Sequence, residues 1–154
     1  MNQKYSSKNT SINHRLPAVY GKLAKAGIAL TNALDYGCGR YFDGYNLANV
    51  VGYDPFNYVR PENVAPGKHY SEGVLSNVLN VIEEEGVRSE ILSTLATLCD
   101  TVYITVYTGN NSGVGAPSGE DSYQLNRPLK GYVEEVARHF SNVKVKRGMI
   151  IATA

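Results

Sequence analysis

Residues 29–39, Ala29-Leu30-Thr31-Asn32-Ala33-Leu34-Asp35-Tyr36-Gly37-Cys38-Gly39, decide how the rest of the chain is read. The apolar run through Tyr36 predicts a short buried strand, and the glycines predict the turn that leaves it. Without a Cβ, Gly37 and Gly39 let the backbone turn sharply and come close to a ligand. In open α/β sheets, ligands bind beyond the carboxyl ends of the strands, where such a turn would stand. A dinucleotide fingerprint needs a third glycine three residues after Gly39, and that position is Phe42. The pattern left is Asp-x-Gly-x-Gly, which suits a cofactor without phosphates. The competing reading is a tight strand-to-helix turn with no ligand.

A second stretch, Asn49-Val50-Val51-Gly52-Tyr53-Asp54, predicts another strand, and Pro55 closes it. Asp54 lies fifteen residues after Gly39. A carboxylate there can accept both hydroxyl protons of a ribose, although an acid can also simply end the strand. Working outward, Ile12, Leu16, Val19, Tyr20 and Leu23 recur at helical spacing, with Pro17 near the start and Gly27 as the C-cap. A third strand is expected at 74–77, then a helix with Val87, Ile91, Leu92, Leu95 and Leu98 on one face. Residues 100–107 form the strongest strand candidate, rich in β-branched and aromatic side chains. The glycine- and serine-rich stretch 108–127 has no period and reads as a functional loop. Pro128 opens a helix over 129–140, and 143–153 reads as a closing strand or hairpin. Strands alternating with helices predict an α/β domain with a mostly parallel sheet covered on both faces. That domain is expected over 11–154, after a flexible tail at 1–10.

Composition narrows the classes. A chain of 154 residues can fold as one domain without a disulfide or metal staple. The polar N-terminus does not resemble a signal peptide, and no apolar run approaches a bilayer span, so a cytoplasmic protein without membrane contact is expected. Cys38 and Cys99 are read as reduced thiols, and His14, His69 and His139 show no metal-ligand spacing, so no metal is expected. The net charge of +1 hides a polarity along the chain. Residues 1–25 contain bases and no acid, and 127–147 is mostly basic; the stretch between holds Glu83, Glu84, Glu85, Glu90, Asp100, Glu120 and Asp121. If the two basic ends meet in space, they form a face suited to a polyanion such as nucleic acid. If they do not, they are a solvated tail and an amphipathic helix.

The stretch 34–39 resembles the first motif of the class I SAM-dependent methyltransferases, and Val51-Gly52-Tyr53-Asp54-Pro55 resembles the second. Ser76-Asn77-Val78-Leu79-Asn80-Val81-Ile82 is similar to their fourth-strand segment. That string, with Tyr103-Ile104-Thr105-Val106-Tyr107 and Ser122-Tyr123-Gln124-Leu125-Asn126-Arg127, resembles small methyltransferase-like proteins of phages and bacteria. The resemblance implies a Rossmann-like three-layer sandwich that binds S-adenosyl-L-methionine (SAM) and transfers its methyl group to an acceptor the sequence does not name. It implies Asp35, Gly37 and Gly39 around the methionine moiety, and Asp54 on the ribose. Pro55 and Phe56 would flank the adenine, with Ser76 and Asn77 near the sulfonium. Two departures stand out: Tyr41 replaces an expected glycine, and the stretch 55–73 is too short for a full helix and strand, so one sheet edge is expected to be trimmed.

Methyl transfer needs in-line placement of the acceptor and, where the acceptor carries a proton, a base. Tyr107, Tyr123, Asn126 and Arg127 are the candidates for that side: Tyr123 could stack on a ring, and Arg127 could pair with a phosphate or carboxylate. Each could equally order its own turn. The competing readings of the whole are a SAM-binding regulatory or interaction protein without activity, a SAM-consuming lyase, and a nucleotide-binding fold with a coincidental glycine turn.

Overall fold

The computed structural model describes residues 3–9 and 15–154. Ile12, assigned above to the first helix, lies outside the described residues, as do His14 and Met1, Asn2 and Thr10 of the expected tail. The elements run α1 (Ala18–Lys25), β1 (Ala33–Tyr36), β2 (Val50–Tyr53), β3 (Tyr70–Ser76), α2 (Glu85–Leu98), β4 (Cys99–Thr105), β5 (Ala116–Gly119), β6 (Ser122–Gln124), α3 (Val133–Ala137), β7 (Asn142–Lys146) and β8 (Met149–Thr153). Six strands form one sheet in the order β2-β1-β3-β4-β8-β7, and β5 and β6 form a separate hairpin. The first four strands of the sheet are parallel, and β8 and β7 close it antiparallel.

The period of two along each strand sorts side chains into two cores. Val74, Tyr103 and Met149 face α1 and pack with its Val19, Tyr20 and Leu23. Their neighbours Leu75, Ile104 and Ile150 face the other way, against Ile91, Leu92 and Leu95 of α2 and Val136 of α3. The result is a three-layer α/β sandwich with a mostly parallel sheet. No helix among the described residues is long and apolar enough to cross a membrane.

Several expected boundaries shift. The first helix starts at Ala18, because Pro17, with an extended backbone at ψ 143, is its N-cap residue, and Leu16 is left half exposed. The third strand begins at Tyr70 rather than at residue 74, since Tyr70 and Glu72 pair with Cys99 and Thr101 of β4. Between β2 and β3 there is one 3-10 turn, Pro61–Val64, so β2 is the sheet edge. The expected helix at 129–140 is a 3-10 turn, Leu129–Tyr132, followed by the short α3.

One buried ion-pair network ties the α2 layer together. Arg88 donates Nε to Glu135 Oε2 at 2.9 Å and Nη2 to Glu135 Oε1 at 2.7 Å, while its Nη1 reaches the Ile82 and Glu83 carbonyls at 2.7 and 2.9 Å. Arg127 adds Nη1 to Glu135 Oε1 at 3.1 Å and stacks over the Tyr132 ring. Burial disfavours the Glu135 charge, but the two guanidiniums outweigh it and hold the carboxyl below its ordinary range. The network fixes α2, α3 and the chain that leaves β3. Arg88→Ala leaves Glu135 with Arg127 alone and strips two carbonyls of their donor, and breaking a buried pair from one side costs about 3–5 kcal/mol. Urea unfolding should show that loss, whereas Arg138→Ala, which breaks an exposed pair with Glu85, should barely move the midpoint.

Candidate functional site

β1 leads leftward to β2, and the chain returns on the right of β1 as β3, so the strand order reverses between β1 and β3. Ligands of open α/β sheets bind in the crevice at such a point. Two turns form it here. Gly37 leaves β1 at φ 79°, with its N–H on the Tyr53 carbonyl at 2.7 Å, and a Cβ there would overlap the Val78 Cγ2 methyl. Asn77 leaves β3 at φ 57°, with its N–H on the Thr105 carbonyl at 2.9 Å. Gly39 (φ 80°) completes the first turn. Gly52 is required beneath it, because an added Cβ would come within 2.8 Å of Cys38 Sγ and 2.9 Å of the Phe42 ring.

Above these turns lies a cavity of about 390 Å³. That is within the range of small-molecule sites. Asp35, Gly37, Gly39, Asp54, Pro55, Phe56, Ser76 and Asn77 all line it. The structure therefore brings the eight residues of the expected cofactor side to one place. Asp54 is buried and held by backbone N–H donors: Gly39 on Oδ2 at 3.1 Å, and Phe56 and Asn57 on Oδ1 at 2.9 and 3.1 Å. A carboxylate offers about four acceptor positions, so the turn occupies most of them and leaves room for one further donor from the cavity. Ser76 Oγ accepts from Thr105 Oγ1 at 3.0 Å.

Asp35 points to the α1 side of β1 and accepts a hydrogen bond from the Tyr20 hydroxyl. Burial pushes its carboxyl up to about 7; the Tyr20 bond pulls it back, and the nearby Asp54 charge adds to the rise. Burial also raises the Tyr20 hydroxyl and the Cys38 thiol, with Asp35 contributing to both, so neither ionises near neutrality.

Sequence reasoning missed the roof. Residues 3–9 lie against the domain, and Gln3, Ser6, Ser7 and Lys8 line the cavity together with Arg15, Leu16, Pro17 and Ala18. Ser6 bonds the Asp121 carboxylate through both its hydroxyl and its N–H, and Ser7 N–H reaches the Asp121 carbonyl at 2.8 Å. Tyr5 stacks on Tyr123 at 5.3 Å between centroids, and Arg40 and Asn57 both hold the Lys8 carbonyl. A polar, aperiodic stretch carries no signal for such docking.

The four acceptor-side candidates do not line the cavity. Tyr107 is 65 % exposed past the end of β4. Tyr123 supports the roof through Tyr5. Asn126 is buried and orders the 109–114 loop, with Nδ2 on the Val114 carbonyl at 3.0 Å and Oδ1 receiving the Asn110 N–H at 3.2 Å. Arg127 is committed to Glu135 and Tyr132. The stretch 108–127, expected as a loop, contains the β5–β6 hairpin.

Solved structures share this fold: it is the Rossmann-like α/β fold also seen in class I methyltransferases. The chain aligns over 89 % of its length with the N-terminal domain of EvdMO1 with S-adenosylhomocysteine bound, covering 78 % of it at TM-score 0.55 and 13 % identity. It aligns equally with a candidate O-methyltransferase from Nostoc punctiforme at TM-score 0.54 and 13 % identity, spanning 55 % of that longer chain. Magnesium protoporphyrin IX methyltransferase from Synechocystis with bound SAM matches at TM-score 0.50 and 14 % identity, over 89 % of this chain and 76 % of that one. No model of a known protein family matches the sequence, and no curated protein matches it.

The raised Asp35 carboxyl sets a pH dependence. Its folded value of about 7 lies above the ordinary 3.8, so the fold favours the protonated acid. The stability this contributes is complete below about pH 4 and is lost as pH rises through about 7. Asp35→Asn keeps an acceptor for Tyr20 but cannot ionise. Unfolding free energies from urea titration should therefore fall between pH 5 and pH 8 in the wild type, by an amount on the order of a few kcal/mol at most, with a flatter profile in the variant. Equal slopes would show that Asp35 ionises freely.

Proposed function

We propose that this protein is a SAM-dependent methyltransferase, with the cofactor held in the cavity between the β1 and β3 turns. The observation that carries the reading is one cavity at the strand-order reversal, lined by two buried carboxylates and the glycine turn. The donor set fits the cofactor: SAM has a sulfonium, an ammonium and a ribose diol, which acids can receive, and a carboxylate, which Arg15 at the rim can receive. The structural neighbours crystallised with SAM or S-adenosylhomocysteine support the same ligand class.

In this reading Asp54 accepts a ribose hydroxyl and is kept oriented by its three backbone donors. Gly37 and Gly39 let the main chain approach the methionine moiety, with Asp35 behind them as the counter-charge. Pro55 and Phe56 flank the adenine, and Ser76 and Asn77 border the sulfonium. Bound SAM supplies a methyl group on a positively charged sulfur, ready for in-line transfer to a nucleophile. The protein's share is positioning and exclusion of water, the latter by the 3–9 segment. The Asp35–Tyr20 pair gives the site a second consequence: a cationic ligand favours the ionised Asp35, so binding is expected to strengthen as pH rises through about 7.

Calorimetric titration with SAM and with S-adenosylhomocysteine tests the reading. A hydrogen bond to a charged group is worth about 1.5–3 kcal/mol, so Asp54→Ala is expected to weaken binding roughly ten- to a hundred-fold. The comparison is made on protein whose fold is confirmed by circular dichroism, because Asp54 also holds the turn. Products after incubation with SAM separate the competing readings. S-adenosylhomocysteine marks transfer, methylthioadenosine marks lysis, and unchanged SAM marks a binding protein. Absence of binding at millimolar SAM sinks the assignment.

A further inference from the structure

The two basic ends of the chain meet. Lys22 of α1 donates Nζ to the Gly148 carbonyl in the β7–β8 turn at 3.2 Å. Lys25 lies one helical turn further along α1 and is exposed. Across the junction, Lys144 pairs with Ile151 and Lys146 with Met149, and cross-strand partners share a face. Met149 and Ile151 pack with α1, so Lys144 and Lys146 stand on the α1 side of the sheet edge. Arg147 heads the turn between β7 and β8 at φ 55°.

Among the described residues, the elements that build this face carry no acidic side chain. The first acid in the chain is Asp35 and the last is Glu135, so α1, β7 and β8 contribute none. Of the acids on the strands beneath, Asp35 is buried under Tyr20, Glu72 is bonded to Thr31 and Asn32, and Asp100 is paired with His69. Among the described residues, Lys22, Lys25, Lys144, Lys146 and Arg147 form no ion pair, although the whole chain carries only +1. The charge is segregated.

We propose that this face binds single-stranded nucleic acid by its phosphates and leads it to the cavity. Three observations favour that partner. Lys144 and Lys146, two residues apart on a strand, stand about 6–7 Å apart, close to the spacing of successive phosphates on an extended strand. Gly21 and Ala24 of α1 are exposed and carry little or no side chain, so the solvent side of the helix offers no large apolar side chain for insertion into lipid. Tyr107 leaves β4 three residues past Ile104, which pairs with Ile150, and so emerges at the same end of the sheet as the Arg147–Gly148 turn. Its exposed ring is a stacking platform for a base, and stacking tolerates any sequence. The cavity opens at that end too, and α1 itself starts from its lining at Ala18. The proposal names a nucleic acid as the methyl acceptor and to that extent rests on the methyltransferase reading; the docking itself does not.

The test is fluorescence anisotropy of the full chain with a labelled 20-nucleotide single strand, without SAM. Binding is expected at 50 mM salt and should weaken with a logarithmic slope of roughly −0.7 per phosphate engaged, about −3 for the face as a whole. The double variant Lys144→Glu/Lys146→Glu should bind at least ten-fold more weakly, and Tyr107→Ala roughly five-fold or more. Lys68→Glu/Lys130→Glu, an equal charge change away from the face, should stay within about two-fold of wild type. The proposal is overturned by no binding at 50 mM salt, by equal losses in the two double variants, or by tighter binding of duplex than of single strand. Adsorption to phosphatidylserine vesicles with no oligonucleotide binding would overturn it as well. SAM-induced thermal shifts on the same proteins keep the two readings apart: oligonucleotide binding without a SAM shift overturns only the methyltransferase reading, and the reverse overturns only the docking face.

Discussion

The approach of Gly37 to Val78 is the constraint on which the site depends. These residues leave the two adjacent parallel strands, β1 and β3, at which the strand order reverses. The Val78 methyl occupies the space a Cβ on Gly37 would need, so the two exits touch at their base and diverge above it. The floor of the cavity is that contact. A larger residue at 37 would have to push the β3 exit aside, and Asn77 beside it is already in the left-handed region. The Gly37 and Cys38 N–H groups on the Tyr53 carbonyl carry the same constraint sideways to β2, and hence to Asp54.

The site is costly to the fold, and other parts of the chain offset that cost. Asp35 sits almost fully buried with a carboxyl that resists ionisation, and Gly37, Gly39 and Asn77, all lining the cavity, occupy positive φ. Buried charge and sparsely populated backbone conformations cluster where a ligand must be met. The opposite layer is built the other way. Leu75, Leu92, Leu95, Val102 and Ile104 are wholly buried, and the Arg88–Glu135 pair is satisfied at every charged atom it presents. The α2 side holds most of the wholly buried apolar side chains, and Asp35, on the α1 side of β1, brings the cavity its buried acid.

Elements with a strong period or composition were legible in the sequence. The 100–107 run became β4 with little change, and the turn at 37–39 and the acid at 54 line one cavity. The trimmed sheet edge also followed from counting residues between Asp54 and Gly73. What escaped has a common cause, because polar side chains report chemistry and not location. Arg127 and Asn126 look like acceptor ligands in a list of residues, yet their partners are Glu135 and the 109–114 backbone, set by packing that no local pattern encodes. Residues 3–9 read as a tail because they contain no apolar period. Their docking uses a serine pair on Asp121, one tyrosine stack and main-chain bonds, none of which needs one. Lys22 meets the Gly148 carbonyl through the packing of α1 against the β7–β8 turn, which no local pattern encodes.

The shortened edge raises a separate problem, because a sheet edge invites further pairing. The chain manages it with few residues. β2 has only four, and its outward Gly52 carbonyl accepts from Asn63 Nδ2 at 2.9 Å, so the next donor in line is a side chain of the Pro61–Val64 turn and not another strand. Tyr70 Oη in turn holds the Asn63 carbonyl at 2.7 Å, which ties that turn to the start of β3. Beyond β2, the exchange of main-chain bonds between Asp54 and Tyr58 curls the chain back on itself. That curl presents the Phe56 and Asn57 N–H groups to the Asp54 carboxylate. The device that blunts the edge therefore also aims the acid at the cavity. A fold that ended in a longer, freely pairing β2 would have to find another way to hold Asp54 in place.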